Sequence, residues 1–211
     1  MSQDPATIAR RLLDRAGRTF VDEAGFTLHD KPSPLWQLTM LAITLAKPIG
    51  ADLAVAATRE LRRAGCTTPR GTLELTWQQR VDALVRAHYR RFDESTSTRT
   101  AEAAQFVLDR WHGDLRGVTR DVTTARDELQ EIPGIGPAGA DIVLREAQAV
   151  WPWVRPFFDD RALDGAKALG LPVTKLDSLV APDEYARFAA GLVRVTLDDD
   201  LATAVRATRS G

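Results

Sequence analysis

The chain has 211 residues, 44% of them hydrophobic, enough for one large domain or two small ones around a substantial core. Its formal net charge is −1, which gives no global case for a polyanionic partner, and a single cysteine, Cys66, excludes an internal disulfide framework and any four-cysteine metal or cluster site. No apolar stretch is long enough to span a bilayer, and the opening MSQDPATIARRL lacks the apolar core of a signal peptide, so the expectation is a cytoplasmic protein.

The hydrophobic periodicity is helical nearly everywhere. Pro5 to Ala16 reads as a first helix. Ser33-Pro34 reads as a start signal, a capping serine with proline in the first helical position. The following PLWQLTMLAITLA is apolar almost all round, so it is expected to be the central buried helix, ended by Pro48 and Gly50. Asp52 to Ala64 is amphipathic and stops at Gly65. Thr76 and Gln79 form a capping box that opens a helix to about Ala87. His88 to Arg99 reads as a polar, cationic insertion, before a helix from Arg99 to Trp111 that Gly113 closes. Val122 to Glu131 and Ala138 to Ala149 flank a glycine-rich turn. Asp160 to Leu169, Pro182 to Val193 and Asp198 to Arg206 complete the chain. No strand pair, hairpin turn of strands or fixed-period repeat is visible. The expectation is an all-α protein of about ten helices. Breaks near Gly25–Ser33 and at VWPWVRPFF suggest two helical lobes. One is a middle domain of six-helix type, residues 33–150. The other is a lobe built from both termini, 1–32 and 151–211.

The turn between residues 122 and 149 carries the chemistry. In LQEIPGIGPAGADIVL, Gly134 and Gly136 allow backbone angles barred to other residues and let a bulky group come close. The turn aims successive N–H groups outward at the start of a helix, a ready anion site. Ile132 and Ile135 would pin it to both helices, and Ala138 and Gly139 open the second one. This is the helix-hairpin-helix pattern, suited to sequence-blind gripping of a nucleic-acid backbone. The bland alternative is a tight corner between two helices. Charge distribution leans the same way as the hairpin. Residues 57–120 hold 12 arginines against 8 acids, whereas 156–200 hold 5 cations against 9 acids. Arg90, Arg91 and Arg99 either meet phosphate or belong to a solvated loop. Tyr89 lies where a residue on the lesion side could reach. The aromatics Trp151, Trp153, Phe157 and Phe158 read best as a seal between lobes, with a base-stacking wall as the alternative and Trp151 or Trp153 the candidates for exposure. His29, His88 and His112 show no ligand spacing, so no metal site is expected.

The order of these features resembles the endonuclease III-like superfamily of helix-hairpin-helix DNA glycosylases, over roughly residues 34–195. After the hairpin comes FFDDRALDGAKALGL, in which Asp159 falls on the family's aspartate at the head of the next helix. LDRWHGDL is similar to the helix end before the hairpin, and PLWQLTMLAITLA to the central helix. The resemblance implies double-stranded DNA as partner, a nucleoid-associated monomer, base flipping into a pocket, and Asp159 as catalytic carboxylate. Cleaving an N-glycosidic bond builds oxocarbenium-like charge on the sugar, which a carboxylate at a helix N-terminus can stabilise while positioning water. On the residues alone, an aspartate in that place is a helix cap. The resemblance also implies a monovalent cation shared between hairpin carbonyls and a phosphate.

Departures from the family pattern sharpen the expectation. Ala138 stands where bifunctional members carry a Schiff-base lysine, so a lyase mechanism is not expected. One cysteine cannot hold an iron–sulfur cluster. Thr44-Leu45-Ala46-Lys47 lacks the glutamine with which relatives probe the duplex. The first reading is therefore a monofunctional DNA N-glycosylase that uses Asp159. The second is a non-catalytic DNA-binding protein on the same fold, and the third a helical scaffold whose hairpin docks a protein.

Overall fold

A computed structural model describes residues 4–207. Twelve α-helices and no strand occur among the described residues, so the chain is all-α as expected. None of these helices is long and apolar enough to cross a membrane.

Helix α3 (Pro32–Leu45) organises the rest. Every residue from Leu35 to Thr44 is buried, including Trp36, Leu38, Met40 and Ile43. Each large apolar side chain there contributes about 1.5–3 kcal/mol by leaving water. The helix begins two residues earlier than its apparent serine signal. Lys31 is the cap, with no side-chain hydrogen bond, and Pro32 takes the first turn, where its missing N–H costs nothing. Ser33 instead donates its hydroxyl to the Thr67 carbonyl at 2.7 Å. Trp36 cannot bury its indole N–H unpaired, and it donates to Thr72 Oγ1 at 3.1 Å.

Four helices lie on or near α3: α4 (Ala51–Ala64), α6 (Trp77–Arg86), α7 (Asp93–Trp111) and α9 (Pro137–Ala147). Helix α4 joins α3 through a buried pair of hydroxyls, Thr44 and Thr58, 2.9 Å apart. The capping box of Thr76 and Gln79 at the head of α6 forms as read. Helix α5 (Pro69–Glu74) was not legible, being six residues long with a glycine inside. Arg80 of α6 is buried and donates to the carbonyls of Thr72, Leu75 and Ser97, tying α5, α6 and α7 together. Helix α7 starts at Asp93, not Arg99, so only residues 88–92 of the expected insertion form a loop. Its first turns bury Thr96, Ser97 and Thr100, small side chains of which Ser97 and Thr100 donate to the carbonyls of Trp77 and Thr96. A reading based on apolar periodicity cannot see such a face. Helix α8 (Val122–Gln130), capped by Asp121, packs on α9.

The remaining helices gather around α11 (Tyr185–Val195). They are α1 (Pro5–Ala16), α10 (Asp160–Ala168) and α12 (Asp199–Arg206). A short α2 (Phe20–Glu23), capped by Thr19, lies beside them and was also missed in the sequence. Helix α9 touches both α3 and α11, so it joins the two groups.

The approach of α10 to α11 is set by Gly165. A Cβ built there would lie 1.9 Å from the Leu192 carbonyl oxygen, a backbone atom that cannot step aside. Gly165→Ala should therefore cost about 3 kcal/mol through overpacking, seen by circular dichroism as a fall in Tm of about 6–10 °C. An unchanged melt would refute this close packing.

Candidate functional site

The hairpin joins α8 to α9 by a turn that combines a buried underside with an exposed tip. Ile132 and Ile135 are 1% and 4% exposed and face the core. They anchor the turn and offer no side chain to a partner. The Ile135 N–H donates to the Ile132 carbonyl at 2.9 Å, closing the turn. Gly134 has φ +90°, the left-handed region that an L side chain adopts only with strain. A Cβ there would also come within 3.3 Å of Arg99 Cβ and 3.6 Å of Ile43. Gly136 is extended, exposed and caps α9, and nothing lies within 4 Å of a Cβ placed on it. Pro137 and Ala138 are exposed as well. The cap has no side-chain acceptor, so the first-turn N–H groups of Ala138 and Gly139 lack a capping partner. Gly139 itself is buried against Ile135, which leaves its amide as its only contribution outward.

The same helix forms one wall of a cavity of about 760 Å³. Ala138, Asp141, Ile142 and Arg145 line it, spaced i, i+3, i+4 and i+7 along one face of α9. Lys47 in the turn after α3 and Asp159 at the head of α10 line it too. The volume falls within the range of small-molecule pockets and is ample for one nucleobase. Arg126 of α8 and Asp141 of α9 form a bidentate pair, at 2.6 and 2.9 Å, which clamps the hairpin helices at the cavity edge.

Asp159 is both a cap and a cavity residue. One carboxylate oxygen accepts the Ala162 N–H at 2.9 Å, and the other accepts from Arg145 Nη1. A carboxylate has about four lone-pair sites, so each oxygen keeps capacity toward the cavity. Arg145 is itself buried, and its guanidinium lies 5.6 Å from the Phe20 ring centre. Its Nε and the Glu146 Oε1 stand 3.9 Å apart, and neither has a hydrogen-bond partner. The other Glu146 oxygen accepts the Val21 N–H at 3.1 Å, holding α2 to α9. Burial raises the Glu146 carboxyl above its ordinary value, against the opposing pull of Arg145.

The other expected residues are distributed unevenly. Arg99 is exposed beside Gly134 but pairs with Glu102 at 2.7 Å. Arg90 and Arg91 are exposed in the 88–92 loop. Tyr89 is 1% exposed and donates to the Thr44 carbonyl at 3.3 Å, so it is a core residue and reaches no lesion. Trp151, a candidate for exposure, is buried, donates to Asp30 at 3.0 Å and stacks on half-buried Trp153 at 5.1 Å. Sequence reasoning missed Arg145, Arg126, Asp141 and Lys47. The signal for three of them was present: Asp141 and Arg145 share a helical face with Ala138, and Arg126 opposes Asp141 across the hairpin.

No family model matches the chain, and no curated protein does. Among solved structures the fold is similar to a trapped covalent intermediate of endonuclease III with DNA, with a TM-score of 0.55 and 17% identity over 90% of this chain and 81% of that one. It is also similar to a non-covalent endonuclease III–DNA complex, with a TM-score of 0.52 and 16% identity over 88% and 79%. The protein therefore has an endonuclease III-like fold.

The buried charges make a pH-dependent contribution with a definite sign. The folded state holds the Glu146 proton more tightly than the unfolded chain does. Its contribution is complete below the ordinary value of 4.5 and is lost as pH rises through the raised one. Urea melts of Glu146→Gln should gain on the wild type between pH 4.5 and 7, and a gap that stays constant would refute the assignment. Arg145→Met should cost about 3–5 kcal/mol at neutral pH, because it strands two buried carboxylates.

Proposed function

We propose that the protein binds duplex DNA through the 132–139 hairpin and excises a base as a monofunctional N-glycosylase. One observation carries this reading: the exposed start of α9 and the Asp159 carboxylate line the same cavity, which is large enough for a flipped base. In the proposed mechanism the amides of Ala138 and Gly139 hold a backbone phosphate, with the helix dipole aiding them. The Ile132 carbonyl gives one lone pair to the Ile135 N–H, and its second would be open to a monovalent cation, which would add positive charge beside the hairpin amides. The extruded base enters between α9 and the turn after α3. Asp159 faces the sugar, stabilises positive charge developing at its anomeric carbon and orients the attacking water. Arg145 fixes the carboxylate so that it need not reorganise during reaction. No lysine stands at Ala138, so water, not the hairpin, bonds to the anomeric carbon as the base leaves, and the abasic sugar stays in the strand. The proposal places the hairpin in a middle domain of residues 33–150, against a lobe from 1–32 and 151–211.

A second reading has its own support. Both Asp159 oxygens already accept from protein donors, Ala162 and Arg145, as in a structural cap. On that reading the protein binds DNA without cleaving it.

A panel of duplexes with different lesions separates the two. The glycosylase should yield strand breaks only after alkali, and Asp159→Asn should lower turnover at least 100-fold, with binding retained. Silence across the panel with salt-dependent binding intact would leave the non-catalytic reading. The hairpin has an independent test. Gly136→Leu puts a side chain into open space, so its melt should match the wild type while duplex affinity falls tenfold or more. Undiminished affinity would remove the hairpin from the interface.

A further inference from the structure

Phe92 is half-buried in the loop between α6 and α7 and has two cations over its ring. Lys47 Nζ lies 5.9 Å from the ring centre and Arg91 Cζ 5.1 Å. They come from separate turns, Lys47 from the one that follows α3 and Arg91 from the 88–92 loop just before α7. The ring is held from below by Tyr89, at 6.4 Å, which is in turn tied to the Thr44 carbonyl at the end of α3. Neither cation pairs with a carboxylate among the described residues, in contrast to Arg99 with Glu102 or Arg126 with Asp141. The nearest acid in sequence, Asp93, accepts its own neighbour's N–H, from Glu94, at 2.7 Å.

Two long cationic side chains laid on one ring have lost much of their rotamer freedom before any ligand arrives. Each keeps its charge available to a backbone phosphate. Lys47 lines the mouth of the cavity that holds Ala138 and Asp159. We propose that Lys47 and Arg91, splinted on Phe92, form a second phosphate clamp that holds the DNA backbone beside the cavity, separate from the hairpin amides. The clamp rests on the reading of the protein as a duplex-DNA binder and adds a site of charge-based contact to it. Its grip is sequence-blind, because both groups address phosphate and neither is a base reader. Ring splinting substitutes for the carboxylate partners that hold other arginines of this protein in place.

Counterion release gives a direct readout. Each phosphate neutralised on duplex DNA adds about 0.9 to the slope of log affinity against log salt. The full chain is titrated onto a fluorescent undamaged duplex over a series of salt concentrations. Lys47→Gln with Arg91→Gln should lower the slope by about two units and reduce affinity at low salt at least tenfold. Lys47→Arg with Arg91→Lys should keep the slope. Phe92→Leu, which leaves both charges but removes the splint, should weaken binding several-fold with the slope unchanged. Thermal melts of every variant establish that each is folded, and Phe92→Leu needs this check most. An unchanged slope in the folded double Gln variant overturns the clamp and leaves the DNA-binding reading standing. A wild-type protein without salt-dependent affinity for duplex overturns that reading and the clamp with it.

Discussion

Helix α9 has to satisfy two opposite demands, and the architecture follows from how it does so. Its first turn must meet solvent with uncapped amides, while its last turn lies entirely inside the core. The exposed Gly136, Pro137 and Ala138 and the buried Leu144, Arg145, Glu146 and Ala147 are separated by barely two turns. Packing against α3 on one side and α11 on the other buries the far end. Burying that end brings a guanidinium and a carboxylate into low dielectric, where isolated charges are costly. Asp159, Glu146 and the Val21 amide answer that cost together. The ionic group at the base of the cavity is thus a consequence of where α9 has to run.

This arrangement bears on both functional readings. A carboxylate fixed by two donors is pre-oriented, which suits a charge that must act without reorganising. The same fixation suits a cap with no chemistry. What distinguishes the site from an ordinary helix start is its setting: the capped helix opens onto a cavity that also receives the exposed end of the hairpin.

Much of this was legible in the sequence because it rests on local rules. The all-round apolarity of 34–46 marks a buried helix whatever surrounds it, and the Thr76–Gln79 box and Gly65 stop are encoded within a few residues. The hairpin is equally local, since two glycines in a fixed apolar frame define the turn. The failures are tertiary or polar. Tyr89 looked accessible in a cationic stretch, but the end of α3 supplies a carbonyl for its hydroxyl. The first turns of α7 bury threonine and serine, which carry no apolar signal. Arg145 meets Asp159 across fourteen residues and a change of helix, and nothing in the spacing announces the pairing. Lys47 was noticed only as the absence of a glutamine, and its ring partner lies forty-five residues further on.

The pairing of α1 with α11 has a consequence for synthesis. Ile8, Ala9, Leu12 and Leu13 form the buried face of α1, and Arg10 reaches Glu184 at 2.8 Å. Their partners lie far along the chain, 174 residues on in the case of Glu184. While α3 to α9 collapse on one another as they leave the ribosome, that first greasy face has nothing to lie against. It stays uncovered until Tyr185–Val195 emerges, an interval in which that face is open to misassembly.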